Sequence, residues 1–336
     1  MQEFHHQLLP TRQLGATGRQ LPSIGLGCMG LSEFYGPPTE PGDAIRLLHE
    51  AIELGIKHFD TAEIYGIGSA NEILLGEAFA DRRDHVFIAT KFGLVRDSET
   101  GDFLGLDGSA QNCRRAVEAS LRRLRTDHID LYYLHRVDPA TPIEETVTAM
   151  AELVEEGKLG AIGLSEASAA TIRRAAAVHP IAAVQSEYSI FSRDIEADVM
   201  PACQETGASL VAYSPLGRGL LAGRFQSEAP DDSDWRTTTP RFQGEDFDAN
   251  RALAAQIEAL AAARSCTPAQ LALAWVLSQG ESILALMGTT KRANLKQNIG
   301  ALALQLTAEE CAHLDALAGR VCGDRYDAWG MAGLYG

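Results

Sequence analysis

Paired thiols, surplus basic charge and a long apolar run are all missing from this chain of 336 residues. Its six cysteines, Cys28, Cys113, Cys203, Cys266, Cys311 and Cys322, are scattered, with no CxxC and no Cys/His cluster at metal-ligand spacing. No structural disulfide framework or zinc site is therefore expected, and buried reduced thiols are. Acidic residues outnumber basic ones, 45 to 29, for a formal net charge of −16. A field of that sign repels phosphate backbones and anionic lipid, so neither nucleic acid nor a membrane surface is an expected partner. No apolar stretch reaches the roughly 18 residues of a membrane-spanning helix. The opening MQEFHHQLLP has no basic region followed by an apolar run, which speaks against a signal peptide. A cytoplasmic protein is the expectation. No repeat and no low-complexity tract stands out, and His5 and His6 receive no role.

What is present is an alternation of two patterns. Short, nearly continuous apolar runs read as strands covered on both faces: Ile24–Met29, Lys57–Asp60, Val86–Lys91, Ile129–His135, Ala161–Ser165, Ala183–Tyr188, Ser209–Ser214 and Ile283–Gly288. Helical patterns lie between them. Pro41–Leu54 has an apolar face and is followed by Gly55 as its left-handed stop. Ser109–Leu124 has another. Thr141-Pro142 is read as a cap and first-turn proline, with Gly157 closing that helix. Ser168 and Thr267-Pro268 are further helix starts, and Thr307 with Glu310 has capping-box spacing. Eight strands alternating with helices fit a (β/α)8 TIM barrel, although an open doubly wound sheet could hold the same elements. Thr11–Leu21 reads as a hairpin ahead of the barrel. Gly217–Phe247 reads as a long loop rather than a second domain, because it is too poor in apolar residues for its own core; the helix Ala249–Arg264 follows. The whole chain, 1–336, is read as one barrel domain, with 1–10 a loose extension and 320–336 a tail near the substrate site.

Gly25-Leu26-Gly27-Cys28-Met29-Gly30 spells the GxGxxG of a Rossmann dinucleotide site. Its context fails. The preceding residues are polar and broken by Pro22, and the following ones contain Gly36, Pro37 and Pro38 where a helix is required. A glycine-rich barrel strand close to other backbone is the preferred reading.

Three successive apolar strands end on polar residues: Asp60, Lys91 and His135. In a parallel barrel those ends form the face where active sites lie. An ammonium is costly to bury alone, and Asp60 could neutralise Lys91. Tyr65, five residues beyond Asp60, supplies a phenol that keeps its proton at neutral pH. A neighbouring ammonium should lower the phenol pKa and assist donation to a developing alkoxide, while His135 polarises the carbonyl oxygen. No side chain supplies a hydride, so a cofactor is required. A Schiff-base role for Lys91 would leave Tyr65 unexplained.

The motifs FDTAEIYG (59–66), ATKFG (89–93), DLYYLHR (130–136), GLSE (163–166), QSEYS (185–189), AYSPLGRG (212–219) and GTTKRANLKQN (288–298) together resemble the aldo-keto reductase superfamily, from about Thr11 to about Tyr326. The resemblance implies a catalytic tetrad of Asp60, Tyr65, Lys91 and His135 and a nicotinamide cofactor, NADPH/NADP+. It implies contacts from Ser165 and Gln185 to the carboxamide, stacking of Tyr213 on the ring, and pyrophosphate contacts from Ser214, Leu216 and Arg218. Met29 and Asp60 line the same cofactor site. At the adenosine phosphate the resemblance places Gly288, Thr290, Lys291, Gln297 and Asn298. A helix N-terminus with the two cations Lys291 and Arg292 supports a phosphate there and favours NADPH over NADH. Two positions depart from the family pattern: Glu166 stands where Asn is common, and Gln297 where many members have an acid. The implied partner is a small carbonyl compound, an aldehyde first, with ketones or pyridoxal as further candidates. A cofactor-binding regulatory subunit, similar to potassium-channel β subunits, is the alternative. Candidate substrate walls are Met29, Phe34, Tyr35, the loop from Phe92 to Leu106, Trp235, Tyr326, Trp329, Met331 and Tyr335. Oligomeric state is left open.

Overall fold

A computed structural model describes residues 9–225, 229–231 and 234–336. Among these, eight parallel strands close into a barrel in the order β10-β11-β12-β3-β4-β5-β8-β9. They are β3 (Ile24–Gly27), β4 (His58–Asp60), β5 (Phe87–Phe92), β8 (Leu131–Leu134), β9 (Ile162–Ser165), β10 (Ala183–Glu187), β11 (Ser209–Tyr213) and β12 (Ile283–Gly288). All eight expected strands are found, and closure excludes the open sheet. The expected hairpin, β1 (Thr11–Gln13) with β2 (Gln20–Pro22), precedes them. Residues 1–8 of the expected loose extension lie outside the described residues. Leu9 joins the core, and the Pro10 carbonyl accepts from the Ser23 amide at 2.9 Å.

The helices are α1 (Pro41–Glu53), α2 (Ala70–Phe79), α3 (Ala110–Leu124), α4 (Ile143–Glu155), α5 (Ala169–Val178), α6 (Val199–Thr206), α7 (Gly244–Ala263), α8 (Pro268–Ser278), α9 (Arg292–Ile299), α10 (Ala308–Ala318) and α11 (Ala328–Ala332). Ser109 and Ser168 cap α3 and α5, and Thr267 and Thr307 form full capping boxes on α8 and α10. The start of α4 differs from expectation. Pro142 itself occupies the cap position, and the Thr141 hydroxyl donates to Asp138 at 2.7 Å. Asp138 also accepts from the Ala140 and Gly108 amides, so a carboxylate organises this turn and the threonine is not needed as a cap.

The long loop carries three short 3-10 turns, Gly217–Ala222, Trp235–Thr238 and Pro240–Phe242, and α7 begins five residues before the expected Ala249. Phe225, Phe242 and Phe247 pack together and join the main core, so the loop is sewn to the barrel. A second hairpin, β6 (Leu94–Arg96) with β7 (Phe103–Leu106), rises from the loop after β5; the sequence reading had no strand there. Phe92, expected in that loop, instead ends β5 and stacks on Tyr132 at 5.1 Å.

The GxGxxG stretch starts on β3, which holds Gly25–Gly27, and runs into a 3-10 turn at Met29–Leu31 rather than a helix, as its failed context indicated. The close neighbours of Gly25 are side chains and not the expected backbone: a Cβ there would come within 3.0 Å of His58 and 2.9 Å of Leu286. A methyl group has no room beside those two inward-facing residues.

Candidate active site

Short strands ending in polar residues now have a geometric meaning. Asp60 is the last residue of β4, Lys91 lies near the end of β5, and His135 follows β8, so adjacent strands deliver all three to one rim. Tyr65 arrives on the turn after β4, where its amide donates to the Ala62 carbonyl at 3.1 Å. Lys91 is the hub. Its Nζ donates to Asp60 Oδ1, to the Thr61 carbonyl at 2.7 Å and to Tyr65 Oη at 3.4 Å. Three donors meet three acceptors, which is what a fully buried ammonium requires. Asp60 Oδ2 accepts from Gln185 Nε2 at 2.8 Å, so the carboxylate is held on both oxygens. The His135 ring meets Tyr65 edge to face at 5.8 Å.

The electrostatics revise one expectation. Burial pushes the Tyr65 phenol up, the Lys91 ammonium pulls it down, and burial prevails. The phenol is therefore a firmer proton holder than the sequence implied, because the low dielectric that strengthens the pull of Lys91 also penalises phenolate. Burial disfavours the Lys91 ammonium, but Asp60 and Tyr65 outweigh it and keep Lys91 charged. Burial, with Arg136 and Lys91 nearby, pushes His135 well down, so it is a neutral imidazole. Its Nδ1 has no partner in the described structure. A proton there would be an orphan donor in a dry site, so we assign the proton to Nε2.

The expected cofactor residues fall into three groups. Met29, Ser165, Gln185 and Tyr213 stand at the same rim. Met29 packs beside the cluster of Ala62, Ile64, Tyr65 and Leu94. Ser165 is buried and accepts from Arg136 at 3.3 Å. The Tyr213 hydroxyl meets that of Tyr326 at 2.8 Å. A second group lies on the turn after β11, where Ser214 and Arg218 adopt positive φ of 51° and 55° and Leu216 is buried. The guanidinium of Arg218 departs from its expected phosphate role. It donates to Glu187 at 2.6 Å and to the Arg325 carbonyl at 2.5 Å, with the rings of Trp235 and Tyr326 against it. The third group surrounds α9. Gly288, Thr290, Lys291 and Gln297 are exposed and Asn298 is buried. Arg292 and Lys296 are both drawn to Glu50, which leaves Lys291, at the helix N-terminus, as the cation of that turn with no carboxylate partner among the described residues. Only one of the two expected phosphate cations is thus available.

The odd residue of the family pattern, Glu166, proves to be an anchor. It is fully buried in a left-handed conformation (φ 52°) and takes a bidentate pair from Arg325 at 2.8 and 2.9 Å. Its carbonyl accepts from the Tyr335 amide at 2.8 Å. Tyr335, a candidate substrate wall, instead turns its hydroxyl into the Arg325–Asp194 cluster. Tyr35 likewise lies under Arg236, at 4.6 Å. Phe34 does face the rim, edge-on to Tyr65 at 6.4 Å, and Trp235 meets Phe34 at 6.2 Å and Tyr326 at 5.8 Å. Trp329 is 61% exposed and leans on Phe103 at 6.0 Å. The sequence carried one signal for the anchor: an acid directly after a buried strand, at 166, needs a cation, and Arg325 is the tail residue that supplies it.

These residues suit a nicotinamide dinucleotide. The Tyr65 phenol and the His135 Nε2 proton are donors with no acceptor among the described residues, and an exposed helix N-terminus with Lys291 suits a phosphate. Among the described residues no group of acidic, histidine and cysteine side chains could hold a metal.

Comparison with known proteins agrees with this geometry. Residues 23–318 match the family model described as "Aldo/keto reductase family". The chain is 46% identical over 323 residues to "Probable aldo-keto reductase 1" of Glycine max, covering 95% of this chain and 92% of that one. Among solved structures it is similar to a glycerol dehydrogenase from Gluconobacter oxydans, with TM-score 0.84 and 30% identity over 95% of this chain and 98% of the other. It is also similar to an aldo-keto reductase from Bacillus halodurans in its holo form, with TM-score 0.78 and 31% identity over 95% and 99% of the two chains.

Proposed function

The chain belongs to the aldo/keto reductase family, and from that membership we propose that it is an NADPH-dependent oxidoreductase that reduces aldehydes to alcohols, with Tyr65 as proton donor. The observation that carries the reading is the cluster on Lys91, which joins Asp60, the Thr61 carbonyl and the Tyr65 hydroxyl at one rim. NADPH, when bound, supplies the hydride. Ser165, Gln185 and Tyr213 would hold its nicotinamide end, the backbone amides of the Ser214–Arg218 turn its pyrophosphate, and Lys291 with the α9 N-terminus its 2′-phosphate.

The protein's own part is to place and protonate the carbonyl. Neutral His135 donates from Nε2 to the carbonyl oxygen and polarises it. Tyr65 holds its proton until negative charge develops on that oxygen, then passes it from Oη. The phenolate left behind faces the Lys91 ammonium, which Asp60 keeps oriented. Phe34, Trp235 and Tyr326 give the approach an aromatic lining that excludes water, with the tail 320–336 at the entrance. This is differential stabilisation: the ammonium gains most from a charge that exists only as the proton leaves.

The test is NADPH oxidation with a panel of simple aldehydes, alongside Tyr65→Phe. The variant should keep its affinity for NADPH and lose turnover by at least about a hundredfold, the lower range for removing a general acid. Unchanged turnover would remove Tyr65 from the mechanism.

A further inference from the structure

Among the described residues, the cations around the rim are paired with carboxylates, with one exception. Lys91 sits on Asp60, Arg96 on Glu33, Arg218 on Glu187 and Arg325 on Glu166. Arg136, the residue after His135, has no carboxylate within ion-pair distance among the described residues. Its Nη1 donates to the His135 carbonyl at 2.7 Å and to Ser165 Oγ at 3.3 Å. Its Nε and Nη2 have no hydrogen-bond partner there, and they are not sealed inside the protein. The side chain is half-buried, with Tyr213, Tyr326, Glu166 and Tyr65 close enough for their charge states to matter to it; Glu166, the one acid among them, has both oxygens taken by Arg325.

An unpaired guanidinium in a partly desolvated position is costly unless it has a ligand. Its free edge is a planar fork that matches a carboxylate. The cofactor's anionic groups do not meet this need. Their expected sites are the turn after β11 and the N-terminus of α9, whereas Arg136 follows β8 beside His135, where the carbonyl reacts. The nicotinamide carboxamide is neutral and calls for no unpaired cation. The protein as a whole carries −16 and repels anions at a distance, so a local positive charge is what an anionic substrate would need on arrival.

We propose that Arg136 is a specificity-determining residue that selects carbonyl substrates bearing a carboxylate, with the acid on its free guanidinium edge and the carbonyl at Tyr65 and His135. This rests on the reductase reading above. The experiment compares kcat/KM with NADPH for para-carboxybenzaldehyde against methyl para-formylbenzoate, and for glyoxylate against acetaldehyde. It uses the wild-type protein, Arg136→Gln and Arg136→Lys. Benzoate and benzamide binding to each protein with NADP+ is followed by calorimetry. The wild type should favour the acid at least about tenfold in one of the two pairs, the range for a charged hydrogen bond. Arg136→Gln should erase that ratio through KM, and Arg136→Lys should keep part of it. No acid preference in the wild type, with neutral aldehydes still reduced, overturns the inference and leaves the reductase reading standing. So does an equal loss on acid and neutral substrates with weakened NADPH binding, which would mean Arg136 acts through Ser165. If no aldehyde is reduced, the reductase reading fails and benzoate decides. A Kd raised about tenfold in Arg136→Gln supports the anion site, and an equal Kd removes it.

Discussion

At the barrel rim around Tyr65 nearly every charge is spent inside the protein, whereas at the turn between β12 and α9 the charges stand in water. Lys91, Asp60, Glu166, Glu187, Arg218 and Arg325 are all buried and bound to one another or to backbone. Thr290, Lys291, Arg292 and Lys296 are exposed, and two of the three cations there share the single acid Glu50. The difference separates two tasks. Chemistry needs charges fixed in position before the substrate arrives, because reorganising them during the reaction adds to its activation barrier. Recognition of a phosphate can use a solvated cation and a helix N-terminus, which adapt cheaply and exchange water for ligand.

The sharpest way to break this contrast is at the buried pair. Lys91→Met leaves Asp60 charged and without its main counter-ion, and should cost about 3 kcal/mol of unfolding free energy. Adding Asp60→Leu should recover a large part of it. A cost below about 1 kcal/mol, the range of an exposed pair, would show that the rim is no more rigid electrostatically than the α9 turn. A smaller effect is expected at the exposed end. Lys291→Ala should weaken NADPH about tenfold and NADH hardly at all, without lowering the melting temperature. Salt should weaken NADPH binding more in the wild type than in that variant, since exposed charges are screened. Equal losses for the two cofactors would mean that Lys291 does not meet the 2′-phosphate. The smallest effect belongs to Arg292→Ala, no more than about twofold on NADPH, because Glu50 already holds that guanidinium. A larger effect than that of Lys291→Ala would reverse the assignment of the two cations.

Legibility follows the same division. Periodicity and caps are local, so Thr267 with Pro268 and Thr307 with Glu310 could be read as helix starts before any fold was known. The start of α4 could not be, because Asp138 reaches it through a turn and also holds Gly108, 30 residues earlier in the chain. The β6–β7 hairpin was missed for a different reason. Its strands have three and four residues, too few to show an alternation against the surrounding loop. Asp60, Lys91 and His135 were legible because each ends an apolar strand, and the pairing of Lys91 with Asp60 followed from the cost of burying an ammonium. Arg218 was placed with its motif, but its guanidinium went to Glu187, a partner 31 residues away.

By itself the sequence determined the alternation of strands and helices, the rim on which its polar strand ends would gather, and the residue types able to move a proton there. Those properties depend on hydrophobic pattern and intrinsic acidity, which each residue carries with it. Tertiary structure alone decided that the barrel closes, that burial outweighs Lys91 at the Tyr65 phenol, that Glu166 ties down the tail through Arg325, and which cations stay unpaired. Each of these depends on distances between residues far apart in the chain and on how much water is left between them.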